Sequence, residues 1–352
     1  MNTKHLRLLL NCYWAYSKKN QTSGFTLIEL LVALIISTVI ILALLSLVVD
    51  ILQMNSRENA RDQTQQEMQT ALNYITAELR EALYVYDNKC LTTTAQGTAP
   101  TASIGATVNY CPGLQNYLPA SFTTSTQKPV LAFWKPETIP DSDLAGLGDC
   151  STVTTGKEQE CKDLITKRRT YTLVVYLQST DNSSVPPTWT GKSRIRRYAL
   201  SKYNYANINE LKTFTLSTGY VDPYGTDSTS FQMWPRKTSD GTNLQASLPS
   251  TSGVNPAALV DFVDAPDATP PATLPLCNAG YIRSPESGTS FFACVRTAVG
   301  TTGEIAQTGI NQDVVLYLRG NANGKSGVTS NNFRPVLQSQ VLMRGVIDKI
   351  PQ

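Results

Sequence analysis

Few residues in this 352-residue chain could do chemistry, and they are unevenly placed. There is one histidine, His5, and seven cysteines, at 12, 90, 111, 150, 161, 277 and 294. A lone histidine near the start excludes multi-histidine metal centres and leaves the rest of the chain without a Ser-His or Cys-His nucleophile pair. No glycine-rich phosphate loop and no G-x-S-x-G elbow occurs, so catalysis finds no support and no cofactor is expected. Asp261, Asp264 and Asp267 could offer oxygen ligands to Ca²⁺. Their setting, DFVDAPDATP, lacks the EF-hand pattern and is expected to be a solvated acidic loop. No C-x-x-C is present either, so no metal site is expected. Lys167, Arg168 and Arg169, then Arg194, Arg196 and Arg197 beside Tyr198, form basic patches. Alternation along a strand makes a solvated face the default reading, with a polyanion or polysaccharide contact as the alternative. The cysteines after Cys12 are even in number, which in an oxidising compartment favours disulfides. Six cysteines allow fifteen connectivities. Local closure suggests Cys90–Cys111, Cys150–Cys161 and Cys277–Cys294.

The elements that must carry these residues begin with the membrane. Leu30 to Val49 is twenty residues without a charge, about 30 Å of helix and roughly one hydrocarbon thickness. The segment is apolar all round, which argues for a span rather than a core helix. Lys4, Arg7, Lys18 and Lys19 precede it with no acid among them, and Asp50 follows. The positive-inside rule therefore keeps residues 1–24 cytoplasmic and exports the remainder. The apolar stretch is too long for a secretory signal core, and no small-x-small cleavage site follows it. Glu29 lies inside the apolar block, where an ionised carboxylate costs several kcal/mol, of order 3, unless a partner is found.

Ser23-Gly24-Phe25-Thr26-Leu27-Ile28-Glu29-Leu30-Leu31-Val32 resembles the type IV prepilin cleavage and methylation motif. The resemblance implies that a membrane peptidase cuts after Gly24 and methylates the new amino-terminal Phe25. It also implies that Glu29 meets the terminal amine of a neighbouring subunit in a fibre. The physics agrees: glycine lets extended backbone enter a peptidase site closely, and a buried carboxylate is tolerable beside a cationic amine. The 24-residue leader is longer than in the simplest family members. No proline occurs before Pro100, whereas major pilins often carry one in this helix; a straighter helix favours a minor pilin or pseudopilin.

From Asp50 to Asp87 there is no glycine or proline, and helix formers abound. Met68, Leu72, Ile75, Leu79, Leu83 and Tyr86 form one apolar face, ready to lie on a sheet. Between Asn55 and Glu67 the chain is polar nearly all round, which predicts an exposed neck. Beyond Asp87, Val130–Trp134, Tyr171–Leu177, Arg194–Leu200, Asp313–Leu318 and Val341–Ile347 are expected strands. Residues 91–109, 178–192, 236–256 and 264–274 are expected surface loops. YTLVVYLQST with SRIRRYALS resembles paired strands of large minor pilins and pseudopilins. DVVLYLRGNA, with the preceding GEIAQTGINQ, resembles pseudopilins of cyanobacterial hormogonium polysaccharide secretion systems.

The expected architecture is α+β: a long amino-terminal helix packed on a mainly antiparallel, disulfide-stapled sheet head. The expected divisions are a cleaved leader, 1–24; a transmembrane helix, 25–49; its periplasmic extension, 50–87; and the head, 88–352. Removing residues 1–24 leaves 26 Lys+Arg against 27 Asp+Glu, so the net charge of +3 becomes one negative charge. That balance does not suggest a nucleic-acid binder. The expected function is a structural subunit, not an enzyme: a minor pilin or pseudopilin of a pilus-like or type II secretion-like fibre supporting polysaccharide secretion and gliding motility. Expected partners are the prepilin peptidase, other pilin-like subunits and the inner-membrane assembly platform. The expected location is the plasma membrane with the head in the periplasm, then the fibre. The alternatives are a minor pilin priming pili for twitching or DNA uptake, and a carbohydrate-binding adhesin at a fibre tip.

Overall fold

The computed structural model describes residues 24–104, 110–184, 186–203, 213–223, 229–250, 257–268, 275–296 and 312–343. Residues 1–23 of the leader, with His5 and Cys12, most of GEIAQTGINQ and residues 344–347 of the last expected strand lie outside them. The chain divides into two compact units, Met1–Ser56 and Arg57–Gln352.

In the first unit, helix α1 (Leu27–Arg80) begins. Every residue from Gly24 to Asn55 is exposed, including the whole apolar run. The helix is long and apolar enough to cross a membrane. Both hydroxyls within the apolar run are satisfied internally: that of Ser37 donates to the Leu34 carbonyl (2.9 Å) and that of Thr38 to the Ile35 carbonyl (2.8 Å). A segment in hydrocarbon needs this internal pairing.

In the second unit, the same helix becomes a core element. Met68, Leu72, Ile75 and Leu79 are fully or almost fully buried, as their three- and four-residue steps require. Two antiparallel sheets share this face. The first, among the described residues, runs β1-β2-β3-β4-β5. Its strands are β1 (Tyr84–Tyr86), β2 (Gln127–Thr138), β3 (Arg169–Ser179), β4 (Ser193–Leu200) and β5 (Ala257–Val263). The second runs β6-β7-β8-β9, with β6 (Tyr281–Ser284), β7 (Phe291–Arg296), β8 (Asp313–Arg319) and β9 (Val336–Leu342). Phe133, Val174, Tyr176 and Ile195 of the first sheet and Phe291, Val314, Leu316 and Leu318 of the second join the helix in one core. Both sheets therefore show the period-two alternation of a strand with a buried face.

The other face of the first sheet is also buried. Ala132, Trp134, Val175 and Tyr198 pack under the loops that carry Leu91, Leu114, Phe122 and Trp234. The rings of Trp134 and Trp234 meet edge to face at 5.5 Å. Their indole N–H groups donate to the Tyr86 hydroxyl (3.0 Å) and the Val221 carbonyl (2.8 Å), as buried tryptophans require. The Cys90–Cys111 disulfide ties the loop layer at Cys111, where Gln96 and Cys111 also exchange backbone hydrogen bonds. Between β2 and β3, helices α2 (Asp141–Leu147) and α3 (Glu158–Lys167) form a satellite core with Tyr203 and Phe214, stapled by Cys150–Cys161. Cys277–Cys294 secures β7 to the chain before β6.

Three expectations need correction. The helix ends at Arg80, not Asp87, because Tyr84–Tyr86 is a strand registered against Trp134, Phe133 and Ala132. Aromatic and β-branched residues prefer that pairing to a last helical turn. The polar neck is not exposed all round from residue 57 onward. Ala60 packs on Ala322 and Val328, Thr64 is fully buried, and Lys325 pairs with Glu67 at 2.8 Å. Gly320 lies so close that a Cβ there would stand 3.2 Å from the Met68 Cε. The last expected strand also starts earlier, at Val336, because pairing with β8 outweighs the weak alternation of QSQ.

Candidate processing and assembly site

The site is built from the residues where the chain enters α1. Gly24, Phe25 and Thr26 are outside the helix, and Thr26 closes its first turn. The Glu29 N–H donates to the Thr26 carbonyl at 3.0 Å and reaches the Thr26 Oγ1 at 3.4 Å, while the Leu30 N–H donates to the same carbonyl at 3.2 Å. Thr26 is thus the residue capping the helix, and Thr26-x-x-Glu29 has the spacing of a capping box. That spacing is a sequence signal, and it assigns Thr26 a role beyond its place in the motif. Glu29, in the first turn, also lies at the positive end of the helix dipole.

Gly24 has open space around it: a Cβ built there meets nothing within 4 Å. The glycine is therefore not required by the packing of the described residues. Phe25 is 74% exposed. Glu29 is exposed too, and among the described residues no cation pairs with its carboxylate. The arrangement thus joins an accessible dipeptide, a capped helix start and a carboxylate without a cation among the described residues, at the head of a long apolar helix. Chemically, such a site can be cut at the Gly24–Phe25 bond, and its carboxylate can accept hydrogen bonds from an incoming ammonium group.

The other expected site residues have different surroundings. Arg194 and Arg197 do not belong to a solvated face. The Arg194 side chain is buried, stacks on Trp189 at 5.0 Å and lies 3.8 Å from the Asp261 carboxylate. Arg197 makes a two-pronged contact with Glu78, at 2.9 and 2.8 Å. Arg168 bonds Asp141 at 2.8 Å. The acidic loop is likewise committed within the protein rather than solvated. Asp264 is buried against Arg319 (3.0 Å), Arg334 (3.3 Å) and Asn321 (2.8 Å). Asp261 accepts the Gly191 N–H at 3.2 Å. Only Asp267 of the three is exposed. No cluster of three His, Cys, Asp or Glu side chains suited to a metal occurs among the described residues.

Glu78 has no role in the sequence reading. It is buried on α1 and takes Lys135 at 2.7 Å, Arg197, and the hydroxyl hydrogen of Tyr176. Burial pushes its carboxyl up, but hydrogen bonds from Arg197, Lys135 and Tyr176 outweigh that and hold it down at about 2. Each partner sits on β2, β3 or β4, so one carboxylate ties the helix to three strands. Its position between Ala77 and Leu79, next to the apolar face, was the one available signal.

Residues 19–45 match the family model of the prokaryotic N-terminal methylation motif. No curated protein and no solved structure matches the chain. The matched segment contains Gly24, Phe25, Thr26 and Glu29, the residues that form the site. The motif, the apolar helix and the antiparallel sheets together support a membrane-anchored, type IV pilin-like subunit, processed by a prepilin peptidase and assembling with other pilins.

Proposed function

We propose that this protein is a minor pilin or pseudopilin of a type IV pilus-like or type II secretion-like fibre. Cleavage follows Gly24, Phe25 becomes the N-methylated terminus, and Glu29 binds the terminal amine of a neighbouring subunit. Before assembly the chain is a single-pass plasma-membrane protein with its head in the periplasm. The observation that carries this reading is Glu29: a carboxylate with no cation beside it among the described residues, on the exposed apolar part of α1 and inside the matched motif. In hydrocarbon such a group requires a cation from outside the chain. Substituting Glu29→Ala tests it. Cleavage should persist while the subunit disappears from sheared fibres; normal incorporation would contradict the pairing.

The narrower role, supporting polysaccharide secretion and gliding motility, rests on the likeness of DVVLYLRGNA and its preceding segment to polysaccharide-secretion pseudopilins. Deleting the gene and scoring extracellular polysaccharide and surface pili separately tests that role. Loss of polysaccharide with pili retained supports it, and the reverse favours pilus priming.

A further inference from the structure

Sheet edges carry unpaired backbone groups, and natural proteins shield them with shortness, charge, proline, bulges or a covering group. Three edges of this head are shielded. Strand β1 has three residues, and the Gln312 side chain engages both backbone groups of Val85, accepting its N–H at 3.1 Å and donating to its carbonyl at 3.2 Å. Strand β5 has register shifts against β4, and its end is tied to the end of β8 by the Asp264 N–H to Arg319 carbonyl (3.0 Å) and Asn321 N–H to Phe262 carbonyl (2.8 Å) bonds. Strand β6 has four residues and is followed by Pro285.

Strand β9 shares only a flanking proline, Pro335, with these edges: it is not short, charged or bulged, and no group covers it among the described residues. It is seven residues, VLQSQVL, with no charge, proline or glycine, and its register against β8 is unbroken from Asp313↔Leu342 to Arg319↔Val336. The Gly320 N–H donates to the Pro335 carbonyl and the Met343 N–H to the Gln312 carbonyl. Alternation then turns the backbone groups of Leu337, Ser339 and Val341 toward β8, and those of Val336, Gln338, Gln340 and Leu342 outward. Among the described residues no backbone hydrogen bond reaches those four outward positions. Their side chains are exposed, Val336 at 49% and Leu342 at 68%.

The strand is also self-complementary. Reversed about Ser339, it sets Gln338 against Gln340, Leu337 against Val341 and Val336 against Leu342. In that register each outward-facing residue meets an outward-facing residue of the reversed strand, so the hydrogen-bond phase matches as well as the side chains. We propose that β9 is a homodimerisation edge: it pairs antiparallel with β9 of a second copy about a two-fold axis at Ser339. The pairing is isologous, satisfies the outward N–H and C=O groups, and covers Val336 with Leu342 at both ends. It depends only on the folded head and goes beyond the fibre reading. An unprocessed terminus would sink the fibre reading without touching this one.

The test uses the full-length chain with Cys12→Ser, purified in detergent. Ser339 would face Ser339 of the partner across a non-hydrogen-bonded pair, with Cα atoms about 4.5 Å apart, inside the disulfide range. Ser339→Cys should therefore give a covalent dimer on mild oxidation. Val336→Lys with Leu342→Lys places lysine opposite lysine at both ends; sedimentation should show loss of the dimer while the far-ultraviolet circular dichroism is retained. A monomeric parent chain, no cross-link at Ser339→Cys, or a dimer that survives both lysines would each overturn the proposal.

Discussion

Glu29 and Glu78 lie on one helix and differ in every surrounding that matters. Glu29 is exposed, without a partner cation among the described residues, on a stretch where every residue from Gly24 to Asn55 is exposed. Glu78 is buried and held by Lys135, Arg197 and Tyr176, on a stretch whose apolar face is covered by two sheets. The same helical backbone therefore serves two solvents. Its first part is apolar and exposed, long enough to cross a membrane, whereas its second part is covered by the chain itself. The difference predicts that changes in the first part alter processing and assembly and leave the head intact, while changes in the second part unfold the head.

The largest expected effect is at the start of the first part. Gly24→Val adds a branched side chain at the proposed cleavage site, and should leave residues 1–24 attached, read directly as the intact mass. The head should unfold at the same denaturant concentration as before. In the second part, Glu78→Ala leaves the Arg197 cation without its carboxylate and Lys135 with only Glu81 at 4.0 Å, and should cost about 3–5 kcal/mol of head stability. Fluorescence of buried Trp134 and Trp234 during urea unfolding is the readout, and Glu29→Ala should not move it. Equal effects of the two substitutions would erase the contrast.

Acid offers a version of this comparison without mutation. The Glu78 carboxyl is held at about 2 in the folded head against an ordinary 4.5. Its stabilisation is therefore fully present above pH 4.5 and is lost as pH falls toward 2. The side chain is 8% exposed, and the shift corresponds to on the order of 3 kcal/mol. Glu78→Gln should flatten the part of the stability–pH curve between pH 2 and 4.5. A smaller loss, about 2–3 kcal/mol, is expected when Cys150 and Cys161 are both replaced by Ala, since that closure spans only 11 residues. The smallest effect belongs to the span: Ile36→Val, on the exposed apolar helix, should leave head unfolding unchanged.

The two parts were also unequally legible in the sequence. The apolar helix and the motif depend on local order: uninterrupted apolarity, and Gly24, Phe25 and Glu29 in one register. The face Met68, Leu72, Ile75 and Leu79 was legible for the same reason, as were the three disulfides, which join cysteines near in sequence. What escaped depends on distant partners. Tyr84–Tyr86 continues a helical pattern and becomes a strand only because Ala132 to Trp134 lie alongside. Arg194 and Arg197 alternate like a solvated face, yet each meets a carboxylate, on β5 or on α1. Strands β5, β6 and β7 are short or irregular, and their pairing comes from neighbours more than from local pattern. The capping by Thr26 was local and could have been read from its spacing to Glu29.

The central claim is that the first part of this helix is exposed because it is cut free and handed to other subunits. Intact-mass and amino-terminal fragment analysis of the native protein from its own cell envelope tests this most directly. The account predicts a chain beginning at N-methylated Phe25, with residues 1–24 absent. A chain that retains Gly24 and the residues before it would contradict the account.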